Sequence, residues 1–137
     1  MENCIFCKIV SGAIPSIRLH ENDRVLAIMD INPATRGHSL VLSKDHHQDL
    51  LDLPQPVLAD ATAVAQRLAI AAKAALQCDG VNLFQATGRA GFQTIFHFHL
   101  HVIPRWSTDG IVPPWVMKPG NMDEIKAAGE SLRAALR

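Results

Sequence analysis

The sequence lacks an excess of either charge. Its 137 residues carry 13 Lys plus Arg and 13 Asp plus Glu, so the formal net charge is zero when histidine is counted as neutral. It also lacks a run of basic residues, which extended DNA- and RNA-binding surfaces usually contain. We therefore expect no nucleic-acid partner, although a site for a single small nucleotide is not excluded.

An export signal and a membrane span are also lacking. The start Met1-Glu2-Asn3 has neither a basic region nor a long apolar run. No segment approaches the roughly 20 apolar residues that cross a bilayer. Three cysteines without an export signal are typical of a reducing compartment. These features predict a cytoplasmic protein without membrane contact, and the length predicts one domain over residues 1–137.

Histidine alternates with apolar residues from His97 to Pro104. A period of two is typical of a β-strand, and we expect the proline to end it. His97, His99 and His101 then share one face of the strand, while the apolar residues between them share the other face. The apolar face must be buried, so three imidazoles line the opposite side in a row.

This histidine row has three interpretations. It could be a solvated strand face, although histidine offers no advantage over serine, threonine or lysine there. It could be one metal site, but His97 and His101 lie roughly 13 Å apart along a regular strand, and ligand bonds are only about 2 Å long. We favour a divided row, in which some histidines act on an anion and another is structural. Histidine suits phosphate chemistry near neutral pH, both as a nucleophile and as a donor.

Cys4 and Cys7 form a C-x-x-C pair in a short helical segment that Gly12 is expected to end. Such a pair either binds a metal or undergoes redox chemistry. Only three residues precede it, whereas a thioredoxin-type motif follows a buried strand. A metal site needs two more ligands, and His46 or His47 could supply one or be ordinary surface residues. The residues alone leave this choice open.

Hydrophobic periodicity predicts the other elements. A helix is expected from Pro54–Pro56 to about Gln77, with an alanine-rich stripe for packing on the sheet or on a second subunit. A last helix follows Asn121 in capping-box spacing, and its buried stripe is expected to comprise Ile125, Ala128, Leu132 and Leu136. The strands predicted besides the histidine strand are 18–20, 25–30, 37–42 and 81–85.

Two loops offer groups that suit a sugar or a phosphate. Asp30 ends a predicted strand, where its carboxylate could accept from sugar hydroxyls or stabilise the turn, and the spacing alone favours the turn. The glycine loop 87–94 leads into the histidine strand. Its backbone N–H groups, with the side chains of Gln93 and Thr94, could hold a phosphate. A plain hairpin turn is the alternative.

Together these motifs resemble those of a known family, the histidine triad (HIT) nucleotide-binding proteins. The family motif is H-x-H-x-H-x-x with x apolar, and residues 97–103 match it. Further likeness lies in an opening segment at 4–15, a ribose-binding segment at 26–33 and the motif at 37–46. The resemblance covers residues 4–105, leaves 106–137 as a tail with a helix, and indicates a bacterial, zinc-containing, purine nucleoside phosphoramidase-like branch.

The resemblance implies an α+β fold in which a five-stranded antiparallel sheet carries a long helix and a C-terminal helix. It also implies a two-fold homodimer joined through the long helix and the strand at 81–85. The implied activity is hydrolysis of purine nucleoside phosphoramidates, which are conjugates of AMP, at the α-phosphate.

The resemblance also implies roles for individual residues. His99 would attack the α-phosphate and form a nucleotidyl-histidine that water hydrolyses, with assistance from His101 and His38. The nucleotide would be bound at its ribose, base and phosphate by Asp30, by Phe6, Ile9, Ile28 and Ile31, and by Gln93, Thr94, His99 and His101. The closed tetrahedral shell of a structural zinc ion would comprise Cys4, Cys7, His46 and His97.

Two residues depart from the family pattern. Ala86 stands where relatives often carry asparagine, and Phe92 stands where they often carry glycine. The first change removes one possible contact to phosphate or ribose, and the second adds bulk near the ligand. The competing functions are a dinucleoside polyphosphate hydrolase, a nucleotide-binding scaffold with negligible turnover, and a redox protein that uses Cys4 and Cys7.

Overall fold

Three α-helices and five strands lie within residues 2–136, which the computed structural model describes. In chain order they are α1 (Ile5–Ser11), β1 (Arg18–Glu21), β2 (Val25–Met29), β3 (Ser39–Ser43), α2 (Gln55–Leu76), β4 (Gly80–Phe84), β5 (His99–Arg105) and α3 (Met122–Ala135). The strands form one five-stranded sheet in the order β1-β2-β3-β5-β4, and every neighbouring pair is antiparallel. The predicted α+β fold, with its long helix and C-terminal helix, is confirmed.

Each face of the sheet buries its own hydrophobic cluster. On one face, α2 packs on the apolar residues of the histidine strand, Phe98, Leu100 and Val102. On the other face, Phe6 and Ile9 of α1 pack against side chains from β2 and β3. Strands β2 and β3 are buried at nearly every position because both of their faces are covered. The predicted division of the histidine strand into an apolar face and a histidine face is therefore confirmed.

Strand β5 is displaced along the chain relative to the prediction. It begins at His99 rather than His97, and it continues through Pro104 to Arg105. Beyond Val102 the strand is paired with β4 alone, since the register with β3 stops there. Proline is compatible with a strand position whose N–H needs no ladder partner. The carbonyl of Pro104 also accepts a hydrogen bond from Thr35 Oγ1 at 2.6 Å.

The long helix α2 ends slightly earlier than expected. It stops at Leu76, and Gln77 takes a left-handed conformation with φ of 53°. Lys73 Nζ donates to the carbonyls of Cys78 and Asp79 and thereby holds the chain that leaves the helix. No helix within residues 2–136, α2 included, is long and apolar enough to cross a membrane.

The apolar stripe of α3 is not buried. Ile125, Leu132 and Leu136 are 51%, 65% and 82% exposed, and Ala128 is exposed as well. The prediction of a buried stripe was wrong for the single chain. Periodicity identifies the apolar side of a helix, but it does not show whether the same chain supplies a surface to cover that side.

Candidate active site and metal centre

A cavity of about 380 Å³ opens beside the histidine face of the sheet. Its walls come from α1, from the end of β2 with the following loop, and from the loop that joins β4 to β5. The predicted site residues that line it are Phe6, Ile9, Ile28, Asp30, Ile31, Thr94, His99 and His101. The fold therefore brings together in one pocket residues that lie up to 95 positions apart in the sequence.

His99 is held with one ring nitrogen committed to the backbone. Its Nδ1 lies 2.7 Å from the carbonyl oxygen of His97, so Nδ1 carries the hydrogen and donates it. In the neutral ring the lone pair is then on Nε2. The ring is buried and meets Phe6 edge-on at a centroid distance of 5.0 Å. Burial lowers the pKa of His99, although the bond to the His97 carbonyl opposes this effect. Burial favours the neutral ring, and the bond to the His97 carbonyl holds its hydrogen on Nδ1, so Nε2 is available as a nucleophile at neutral pH.

His38 and His101 form a hydrogen-bonded pair whose tautomers follow from their neighbours. The backbone N–H of Ala34 donates to His38 Nδ1 at 2.9 Å, so the hydrogen of neutral His38 is on Nε2. That Nε2 lies 2.8 Å from His101 Nδ1 and donates to it. The hydrogen of His101 is therefore on Nε2. One backbone amide thus determines that His101 presents an N–H group rather than a lone pair at its outer nitrogen.

The electrostatic surroundings keep His101 neutral. Burial, followed by the nearby imidazoles of His99 and His38, lowers its pKa to about 4, while the carboxylate of Asp30 opposes the shift. Burial also lowers the pKa of His38, again against the attraction of Asp30. At neutral pH the row therefore presents uncharged imidazoles, as a histidine nucleophile requires.

The position of Asp30 suits both functions considered for it, stabilising the turn and contacting a sugar. Its Oδ1 accepts from the backbone N–H of Asn32 at 2.8 Å, which is the turn-stabilising contact. Its Oδ2 lies 3.4 Å from His38 Nε2, and the residue lines the cavity. The carboxylate thus fixes the loop after β2 and also faces the pocket.

The second cluster of titratable side chains lies at the start of the histidine row. Cys4 Sγ is 3.3 Å from His97 Nδ1, and Cys7 Sγ is 3.3 Å from His46 Nδ1 and 3.5 Å from His97 Nδ1. All four ligand atoms lie within 4.8 Å of one another. Zinc bonds of about 2.3 Å to sulfur and 2.0 Å to nitrogen, at tetrahedral angles, give sulfur–nitrogen separations of about 3.5 Å. The measured spacings fit such a shell.

The tautomer of His97 fits a metal as well. Its Nε2 lies 2.6 Å from the carbonyl oxygen of Ser43 and must donate to it. The lone pair of the neutral ring is therefore on Nδ1, the atom that faces both cysteines. A ligand histidine whose other nitrogen donates to a carbonyl is the usual arrangement at metal sites. The predicted ligands Cys4, Cys7, His46 and His97 thus form a group that could hold a tetrahedral metal ion.

The HIT domain family matches residues 11–108 of the chain. This chain belongs to the HIT domain family. The crystal structure of a HIT family protein from Bacillus anthracis superposes with a TM-score of 0.90 at 34% identity and 99% coverage of both chains. A Zn-bound histidine triad family protein from Mycobacterium smegmatis is 43% identical, with a TM-score of 0.77 and 98% coverage of both chains. The adenosine 5′-monophosphoramidase of Saccharomyces cerevisiae is 36% identical over 134 residues, or 97% of this chain and 82% of that protein.

Gln93, which was predicted to contact the phosphate, does not line the pocket of this HIT domain. Gln93 is 4% exposed, and its side chain is fully engaged within the protein. Its Oε1 accepts from the N–H of Gly88 at 2.8 Å, while its Nε2 donates to the carbonyls of Gln48 at 2.7 Å and Ile95 at 3.2 Å. The structure therefore places Gln93 as a clamp on the β4–β5 loop, whereas Thr94 beside it does line the cavity.

Several pocket residues of the HIT domain were not foreseen. They are Ile5, Ile14, Leu40, Phe84 and Ile95. Phe84 stands opposite His101 in the register of β4 with β5, and the rings lie 5.6 Å apart. Strand order determines this contact, and periodicity alone does not reveal strand order. The two departures from the family pattern, Ala86 and Phe92, also line the cavity.

Proposed function

We propose that this HIT protein hydrolyses purine nucleoside phosphoramidates at the α-phosphate through a nucleotidyl-histidine on His99. The observation that carries the proposal is the bond between His99 Nδ1 and the His97 carbonyl, which leaves Nε2 as a free nucleophile in the pocket. The yeast relative named adenosine 5′-monophosphoramidase supports the reaction class.

The reaction would proceed in two displacements at phosphorus. In the first, His99 Nε2 forms a bond to phosphorus while the phosphorus–nitrogen bond breaks, and the electron pair stays on the departing nitrogen. That nitrogen takes a proton and leaves as an amine. In the second, water attacks phosphorus and gives up a proton that restores the one lost to the amine, His99 Nε2 departs, and AMP is released. The high energy of a histidine nitrogen–phosphorus bond favours this second step.

The His101–His38 pair would stabilise the negative charge that develops on the phosphoryl oxygens. In the neutral pair His101 presents an Nε2–H that can donate to a phosphoryl oxygen, as the tautomer argument above requires. The negative charge of a bound phosphate favours the protonated form of a nearby imidazole. The pair would then supply the proton to the leaving amine. Thr94 would contact the phosphate, and Asp30 would accept from the ribose hydroxyls.

The base would lie among apolar side chains. Phe6, Ile9 and Ile28 are buried and form the deep wall of the cavity, whereas Ile31 is 84% exposed and stands at its edge. An apolar slot of this kind encloses a flat ring and leaves recognition of its polar edge to few groups. We therefore infer a preference for purines, whose two fused rings bury more area.

The metal cluster would be structural. Cys4, Cys7, His46 and His97 would hold a zinc ion, which supplies no substrate chemistry because four protein ligands leave no open coordination position. The Zn-bound relative from M. smegmatis supports the choice of zinc. A cluster occupied by zinc leaves no dithiol for a redox function.

The proposal extends to the assembly. We infer that residues 1–137 act as one HIT domain, in a cytoplasmic homodimer joined through α2 and β4. Support comes from β4, which is an edge strand of the sheet and carries Leu83 at 51% and Phe84 at 37% exposure. Exposed apolar edge strands are usually covered.

A second candidate is hydrolysis of dinucleoside polyphosphates by the same nucleophile. A further cavity of about 560 Å³ is lined by Phe84 and by the tail residues Ile111 to Trp115. Phe84 lines both cavities, so the second adjoins the first on the side of His101. A second nucleoside could lie there.

The test is release of AMP from adenosine 5′-phosphoramidate by the purified protein, with His99→Ala beside it. We expect release by the wild type alone, with nucleotide binding retained in His99→Ala. Turnover by His99→Ala would remove His99 from its role. If the wild type releases nothing here but cleaves a dinucleoside polyphosphate, the second candidate is correct. Failure on both substrates, with binding intact, would identify a nucleotide-binding scaffold.

A further inference from the structure

Phe92 has an unusual backbone conformation for a residue with a side chain. Its φ and ψ are 71° and 18°, in the left-handed region. Among residues 2–136 only Gln77 and Phe92 have positive φ without being glycine. Gln77 ends a helix, where this conformation is common. Phe92 closes a one-turn 3-10 segment, Arg89–Gly91, where glycine would fit without strain. Strain of this kind at a pocket suggests a functional constraint on the side chain.

The ring of Phe92 is exposed although it belongs to the pocket wall. It is 67% exposed and lines the cavity that holds His99 and His101. The chain has only five phenylalanines, two tryptophans and no tyrosine, and Phe6 and Phe98 are buried in the core clusters. A large ring at the mouth of a cavity gains burial only when a ligand covers it.

The loop around Phe92 is held on both sides. Its own N–H donates to the carbonyl of Arg89 at 3.0 Å, and the next residue, Gln93, is the buried clamp that bonds Gly88 and Gln48. The ring is thus presented from a fixed backbone. A preorganised aromatic surface loses little conformational entropy when a ligand stacks on it.

The position of Phe92 assigns it to one end of the substrate. The nucleoside end of the cavity is formed by α1 and the end of β2, which carry Phe6 and Asp30. Phe92 stands two residues before Thr94, so their Cα atoms lie within about 7 Å of each other. It therefore adjoins Thr94, the residue that the proposed function assigns to the phosphate, and the leaving group would lie beyond that end. Ala86, which is small and buried, lines the same cavity.

We propose that Phe92 is a specificity residue that stacks on an aromatic ring carried by the leaving amine. This inference rests on the proposed function and names its substrate class: nucleoside phosphoramidates whose leaving amine carries an aromatic ring. Ring–ring contact favours an aromatic partner over an aliphatic one of similar size. The reaction is the same as in the proposed function. The selectivity comes from the surface of the Phe92 ring, which glycine at this position would lack.

The test compares two AMP conjugates with similar leaving nitrogens, one of benzylamine and one of cyclohexylmethylamine. The ratio of their kcat/KM values is measured for wild type, Phe92→Leu and Phe92→Gly. Leu51→Ala is the control, because Leu51 is 83% exposed and does not line the cavity. We expect wild type and the control to prefer the benzylamine conjugate by about ten-fold. Both Phe92 variants should lose most of this preference. An unchanged ratio in Phe92→Leu and Phe92→Gly would overturn the inference.

A binding measurement separates this inference from the proposed reaction. Calorimetry of the benzylamine conjugate with His99→Ala, and with His99→Ala carrying Phe92→Gly, needs no turnover. We expect the Kd to rise about ten-fold with the second substitution. If wild type cleaves neither conjugate but Kd rises, the proposed function fails and the aromatic platform stands. If cleavage occurs and Kd is unchanged, the reaction stands and the platform is refuted.

Discussion

The buried pair His38–His101 predicts how stability depends on pH. Burial and the neighbouring imidazoles hold the pKa of His101 at about 4, whereas an unperturbed histidine titrates near 6.5. Between these values the unfolded chain takes up a proton at this position and the folded chain does not. The stability contributed by neutral His101 is therefore fully present above about pH 6.5 and is lost as the pH falls toward 4.

The size of the effect follows from the two pKa values. The folded state's preference for neutral His101 costs about 0.2 kcal/mol of stability at pH 7 and about 2 kcal/mol at pH 5. His101→Asn removes this titration while its Oδ1 can still accept from His38 Nε2, as His101 Nδ1 does. We therefore expect the wild type to lose about 2 kcal/mol more than His101→Asn between pH 7 and pH 5.

The assay is urea unfolding at both pH values, followed by circular dichroism. Direct effects of the substitution on packing appear at both pH values and cancel in the difference. Acid effects on the cysteine cluster cancel likewise, because its four residues are the same in both proteins. His20→Asn, which removes an imidazole from strand β1, is the matched control and should follow the wild type. Equal losses in wild type and His101→Asn would refute the claim that His101 is held neutral.

The remaining predictions concern the metal and the backbone. Cys7→Ser should abolish stoichiometric zinc binding and lower the free energy of unfolding by about 4 kcal/mol, a size typical of metal loss. Cys78 lies outside the cluster, so elemental analysis should show that Cys78→Ser keeps its zinc. Gly37→Ala should cost about 3 kcal/mol because its φ is +85° and the new Cβ would overlap Leu76 Cδ1. Gly12→Ala has a φ of +84° but open space around it, so urea melts should give a loss of only about 1 kcal/mol. At position 92, glycine should be more stable than alanine by about 1 kcal/mol because only alanine keeps the left-handed strain; equal melts of Phe92→Gly and Phe92→Ala would argue against that strain.

Much of the fold could be predicted because each element carries its own period. The alternation at His97–Val102 predicted both faces of β5, and the structure places the apolar face on α2 and the histidines toward α1 and the pocket. The predicted limits of β5 were wrong at both ends, because the pairing between strands, and not the local sequence pattern, decides where a strand begins and ends. His97 turns toward the cysteines before the ladder begins, and Pro104 is paired on one side only.

The rest depends on contacts that no local pattern contains. The sequence indicates that Gln93 lies near the phosphate loop, but only the folded chain shows that the carbonyl of Gln48, 45 residues earlier, engages its amide. Likewise, the tautomer of His101 depends on the N–H of Ala34 acting through His38. The exposed stripe of α3 shows the opposite case, where the period was correct and the expected burial was not.

His97 joins the cysteine–histidine cluster to His99, the proposed nucleophile, through a single residue. Its ring directs Nδ1 at Cys4 and Cys7, while its carbonyl orients the ring of His99. A metal ion of different radius would alter the bond lengths of the cluster by tenths of an ångström, and the carbonyl would move with the ring. Since a misplacement of about 1 Å can cost about 100-fold in rate, we expect exchange of the metal to change the rate of the proposed reaction. Such tuning would change no residue of the pocket.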